Sequence, residues 1–210
     1  MKFSTFLYLS CCAAVVLLLC VSAGCVGSGG DTDSLKNTLV YAGEGSDTLN
    51  PVLNDHTELA DLIFSGLMKY DADADPVPDL AESCTYDPDT RTYTFSLKKG
   101  VVWHDGTPFT SADVVYTYEL LALDDDFISS VKSNYQDILS VSAPDAYTVV
   151  FVMKEYNAAM LSYFTRGIVP KHILDGQDVA TSSFNQNPVG TGRYKFVEWD
   201  RAGNMIVLER

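Results

Sequence analysis

Apolar positions along this chain fall into short, separate runs rather than one sustained period. Residues 39–42 ("LVYA") form a strand pattern that Gly43, Gly45 and Pro51 bring to an end. Leu59, Leu62, Ile63 and Leu67 then recur at helical spacing, which predicts a helix over 55–68 capped by Asp55, with Glu58 three positions on. "DADADPVPDL" has no period and reads as a loop. Cys84 and Tyr86, then Tyr93, Phe95 and Leu97, alternate on either side of "DPDT" and predict a hairpin. A turn at Lys98-Lys99-Gly100 follows. A second hairpin is expected from Leu139, Val141 and Ala143, a turn at Pro144-Asp145, and Tyr147, Val149, Phe151 and Met153. Residues 156–164 predict a helix, "PKHIL" a helical turn starting at Pro170, and 176–189 a polar loop. "GTGRYKFVEWDRAGNMIVLER" reads as two strands around "DRAGN".

The densest cluster of polar and aromatic residues lies in "VVWHDGTPFTSADVVYTYELL", residues 101–121. Residues 101–103 read as a short strand, and Asp105-Gly106 as a turn in which glycine tolerates positive φ. Thr110 occupies an N-cap position, Asp113 is placed to reach back to it, and Phe109 can staple onto Val114. Val114, Val115, Tyr118, Leu121 and Ala122 form one apolar helix stripe. His104-Asp105 is the best candidate for acid–base chemistry. Neighbouring side chains diverge on a strand or turn, however, and a relay needs them to converge on a nucleophile. The three histidines (His56, His104, His172) have no metal-ligand spacing.

Other motifs reduce to structure in the same way. Asp71, Asp73, Asp75, Asp79 and Glu82 match a calcium loop except at position six, where Pro76 replaces the glycine that the sharp turn demands. Gly190-Thr191-Gly192 precedes a strand, whereas a phosphate loop follows one. Gly43-Glu44-Gly45-Ser46 lacks the order of a nucleophile elbow. No catalytic residue, metal site or cofactor is assigned, and the chain reads as a non-enzyme.

Charge and the amino terminus set the location. A net charge of −14 disfavours nucleic acid, whose binding depends on Lys and Arg at phosphates. Residues 1–25 form a signal: Lys2, an apolar run over 6–19, then Ser22-Ala23-Gly24-Cys25. This resembles a lipoprotein cleavage box with Cys25 as the lipidated residue, although Ser22 stands where a large aliphatic is usual. An uncleaved anchor is the alternative, since the run approaches the ~20 residues of a span. Either outcome puts the rest of the chain outside the cytoplasmic membrane. Residues 26–37 are a Gly/Ser/Asp-rich tether. Cys84 alone remains for the folded part, so no internal disulfide is expected there.

Several blocks in order carry a resemblance: "LNP" (49–51), "IFSGLMKYDADADPVPDLAES" (63–83), "YTFSLKKGVVWHDGTPFTSADVVYTYE" (93–119), "IVPKHIL" (168–174) and "NPVGTGRYKFVEW" (187–199). Together they resemble the amino-terminal part of the family 5 extracellular solute-binding proteins, the peptide- and nickel-type receptors of ABC importers. The resemblance implies an α/β fold of the type II periplasmic-binding-protein kind, here incomplete. Residues 38–50 and 189–210 would be main-sheet strands of lobe one and 51–185 its inserted subdomain. It implies capture of an oligopeptide, nickel complex or related small solute by hinge closure, and delivery to ABC permease subunits. Gly43, Glu44, Gly45 and Ser46 are candidates for ligand backbone contacts, and Arg166 for holding a ligand carboxylate. Solute binding by one lobe alone is expected to be weak or absent, because one lobe cannot bury the ligand. The competing readings are a non-binding remnant or partner-dependent module of such a receptor, and a secreted hydrolase.

Overall fold

The computed structural model describes residues 38–41, 47–53, 58–203 and 205–210, and these described residues belong to one compact unit. The predicted positions Cys25, Gly43, Glu44, Gly45, Ser46, Asp55 and His56 lie outside the described residues.

Nine strands and four short helices follow the chain in the order β1 (Thr38–Tyr41), α1 (Ala60–Ile63), β2 (Met68–Tyr70), β3 (Pro76–Pro78), β4 (Ala81–Asp87), β5 (Thr92–Leu97), α2 (Ser111–Ala122), β6 (Ile138–Asp145), β7 (Thr148–Met153), α3 (Met160–Tyr163), α4 (Lys171–Leu174), β8 (Lys195–Asp200) and β9 (Met205–Glu209), counted among the described residues. They build three antiparallel sheets: β1-β9-β8, the pair β2-β3, and β4-β5-β7-β6.

The four-stranded sheet forms where alternation is strongest. Tyr93, Phe95 and Leu97 of β5 face the core together with Val149, Phe151 and Met153 of β7, in a register that sets Phe95 opposite Val149. Phe95, Phe151, Phe164 and Tyr118 meet mostly edge to face, with ring centroids 4.8–5.7 Å apart. Each such buried ring contributes about 2–3 kcal/mol of apolar burial. Helix α2 lies against this sheet through Val114, Tyr118 and Leu121, all fully buried.

Several predicted elements change. The helix expected over 55–68 survives only as α1, because Phe64 turns extended (φ −113°, ψ 149°). Gly66 then packs so tightly that a Cβ would stand 2.4 Å from the Thr165 carbonyl oxygen. The helix expected over 156–164 shrinks to α3. In β6 a bulge between Ile138 and Ser140 breaks the expected alternation, so Ile138 is buried while Leu139 is exposed. The turn of that hairpin falls at Ala146-Tyr147, since Asp145 already pairs with Thr148. Residues 101–103 make only a single bridge, Val102 to Pro108. The acidic loop belongs to the β2–β3 hairpin: Asp71 Oδ1 accepts from Asp73 N–H (2.9 Å) and Asp75 N–H (3.0 Å), and Ala74 sits at φ 64°. Residues 176–189 include a 3₁₀ turn over Ser183–Asn185 with Phe184 and Asn185 buried.

Candidate functional site

His104 and Asp105 point to different partners. His104 Nδ1 accepts from Gly190 N–H at 3.3 Å, and Nε2 meets the Gly192 carbonyl oxygen at 3.0 Å. One nitrogen accepts and the other faces an acceptor, the pattern of the tautomer that carries its proton on Nε2. Backbone N–H of His104 adds a bond to Gly190 O at 2.8 Å. An imidazole spent on backbone at both nitrogens has none left for proton transfer.

Asp105 turns instead to His172, whose Nε2 lies 2.9 Å from Oδ2, while Oδ1 accepts from Thr107 N–H at 2.9 Å. Burial raises the Asp105 carboxyl, but the hydrogen bonds from His172 and Thr107 outweigh it and leave the group below its ordinary range. Trp103 is buried beside Phe109 and His172, ring centroids 6.0 and 5.9 Å away. The cluster therefore joins the 101–107 turn to α4 and to the segment before β8.

Asp113 is the second tie. Its Oδ2 accepts from Thr110 N–H at 3.0 Å, completing the capping box of α2, and its Oδ1 accepts from Lys171 N–H at 3.1 Å at the start of α4. Burial pushes its carboxyl above the ordinary range, against those two bonds. Burial likewise pushes the Cys84 thiol up to about 11.

The segment that His104 holds lies directly on the end of α1. Gly192 N–H donates to Ile63 O at 2.8 Å and Tyr194 N–H to Leu62 O at 3.0 Å. A Cβ on Gly190 would fall 1.9 Å from Ile63 O, so only glycine permits the approach.

Beside this contact opens a cleft of about 690 Å³, within the size range of small-molecule sites. Phe64, Met68 and Leu80 supply apolar surface. Lys69, Lys98, Arg166 and Arg193 supply positive charge, against Asp61 and Asp79. Lys69 pairs with Asp79 at 3.2 Å, and Arg166 Nη1 donates to Pro51 O at 3.4 Å. Of the predicted ligand contacts, Arg166 lines this cleft. Sequence reasoning missed Lys98 and Arg193, whose signal was a cation beside a glycine turn. Among the described residues no cluster of metal-ligating side chains occurs.

The profile of bacterial extracellular solute-binding proteins, family 5 (middle region), matches residues 75–210. The chain belongs to that family. Protein XP55 of Streptomyces lividans is 35% identical over 173 residues, covering 82% of this chain and 32% of XP55. The oligopeptide-binding protein AppA of Bacillus subtilis is 32% identical, covering 93% of this chain and 39% of AppA. Its structure with a nonapeptide superposes with a TM-score of 0.72 at 30% identity, over 77% of this chain and 33% of that one. NikZ of Campylobacter jejuni with Ni(L-His) gives 0.71 at 36% identity, over 75% and 32%. The fold is thus part of a type II periplasmic-binding-protein fold, and the chain spans about a third of the length of these relatives.

Proposed function

We propose that this chain is the extracytoplasmic solute-binding component of an ABC importer for oligopeptides, nickel complexes or related small solutes, and that it binds without transforming them. The observation that carries the reading is the cleft at Arg166, in a fold that superposes on the solved complexes of AppA with a nonapeptide and of NikZ with Ni(L-His). In this reading Arg166 holds a ligand carboxylate through its planar donor fork, and Gly43, Glu44, Gly45 and Ser46 supply backbone groups. Pairing of β1 with β9 across the intervening chain supports assigning 38–50 and 189–210 to the main sheet and 51–185 to an inserted subdomain. Cys25 is the proposed lipid attachment that holds the protein at the membrane beside its permease partners. No helix among the described residues is long and apolar enough to cross a membrane.

Amide chemical-shift mapping tests the binding step, because it detects weak complexes. Tri-alanine and nickel–histidine should shift amides around Gly66, Arg166 and Gly192 saturably, with an affinity of about millimolar, since a single lobe covers one side of a solute. Arg166→Met should weaken the peptide response. Absence of any response in the cleft, or hydrolysis of the peptide during the titration, would overturn the proposal.

A further inference from the structure

The charge around the cleft runs against the charge of the chain. Acidic residues outnumber basic ones by 28 to 14, so the surface as a whole repels anions. Among the described residues, four of those cations nevertheless line this one cleft, against two carboxylates. Lys69 is matched by Asp79. Among the described residues, no carboxylate pairs with Lys98 or Arg193, and no hydrogen bond engages either side chain. A further polar atom is unspent there: Thr191 Oγ1, in the cleft wall between the two close-packed glycines, is buried without a partner. Lys98 follows β5, Arg166 follows α3, and Arg193 follows the glycine segment, so three separate stretches of chain bring positive charge to one cavity. Apolar walls concentrate the field of such a group, which favours a ligand offering several negative groups over one offering a single terminus.

We infer that the solute held in this cleft carries two or more carboxylates. This rests on the solute-binding reading and narrows it. Lys98 and Arg193 receive the carboxylates beyond the one at Arg166.

Three probes separate the outcomes in amide-shift titrations of the whole chain at low salt. Tri-glutamate and citrate carry several carboxylates; tri-alanine carries one. At least one of the two acids should saturate the Gly66, Gly192 and Arg193 shifts at about tenfold lower concentration than tri-alanine, and the advantage should fall toward unity at high salt. Tri-glutamate ahead of citrate assigns the carboxylates to a peptide; citrate ahead assigns them to a small organic acid. Lys98→Met combined with Arg193→Met, checked for an unchanged melting temperature, should weaken the response to the acids severalfold more than the response to tri-alanine. The salt dependence of the unmodified chain decides the matter independently of that variant. If tri-alanine matches both acids, the inference falls and the solute-binding reading stands. If neither these three probes nor nickel–histidine perturbs the cleft, both fall together.

Discussion

Asp113→Ala removes one carboxylate that serves two helix starts. The side chain accepts from Thr110 N–H at 3.0 Å and from Lys171 N–H at 3.1 Å, and the residue is only 4% exposed. Each amide then loses a partner where water reaches poorly, at about 1–1.5 kcal/mol apiece, or about 2–3 kcal/mol together. In a chain of this size each kcal/mol moves the midpoint by about 2–4 °C, so calorimetry should find the variant melting about 4–12 °C lower. Asp113→Asn separates charge from geometry, because its amide keeps one acceptor oxygen and does not titrate. Burial holds the Asp113 carboxyl above its ordinary range despite the two N–H bonds. The folded chain therefore keeps this proton to a higher pH than the unfolded chain does. The stability linked to that proton is complete below the unfolded value and drains away as pH rises through the folded one. The stability gap between the native chain and Asp113→Asn should narrow as pH climbs through that window. A gap that widens would mean the N–H bonds outweigh burial, and an unchanged midpoint for Asp113→Ala would refute the two-helix tie itself.

Other substitutions probe the contacts separately. Gly190→Ala puts a methyl group 1.9 Å from Ile63 O and should cost about 1–3 kcal/mol in a denaturant titration. His104→Ala deletes both side-chain bonds to the 190–192 segment; the expected loss is about 1–2 kcal/mol, with faster hydrogen exchange at the Gly190 and Gly192 amides. Thr110→Ala, which leaves the Asp113 half of the box intact, should cost about 1 kcal/mol. With its thiol pushed up from 9.0 to about 11, Cys84 should alkylate about a hundredfold more slowly than an ordinary thiol, followed on its own peptide by mass spectrometry.

What could be read in advance was whatever one segment decides for itself. The 84–97 hairpin alternates because one of its faces is buried, and "TSAD" caps a helix through atoms three residues apart. Failures came where a distant segment overrode a local pattern. Ile63 and Leu67 are both fully buried, as helical spacing suggested, yet a helix does not join them, because Gly66 is drawn against Thr165, 99 residues away along the chain. The Ile138 bulge shifts the face of β6 by one residue, a change that alternation alone cannot register. Asp113 was read as a cap for its own helix, and its second bond, to Lys171, spans 58 residues. The cleft divides in the same manner. Arg166 stood out at the end of a predicted helix, whereas Lys98 and Arg193 become part of one site only when β5 and the glycine segment meet.

These long-range contacts give the most enzyme-like residues of the chain a structural part. His104 grips the backbone at Gly190 and Gly192, and those glycines alone allow the segment to lie on Leu62 and Ile63. Arg193 is the next residue along, so its place in the cleft wall follows from where that segment is pinned. Asp105, through His172, fixes α4 beside the same turn. Polar side chains that find partners in this way, as His104 and Asp105 do, cost less to bury and help define one arrangement of three chain segments. Positioning cations around a cavity calls for that rigidity, because a charge that can swing into solvent loses most of its hold on a ligand.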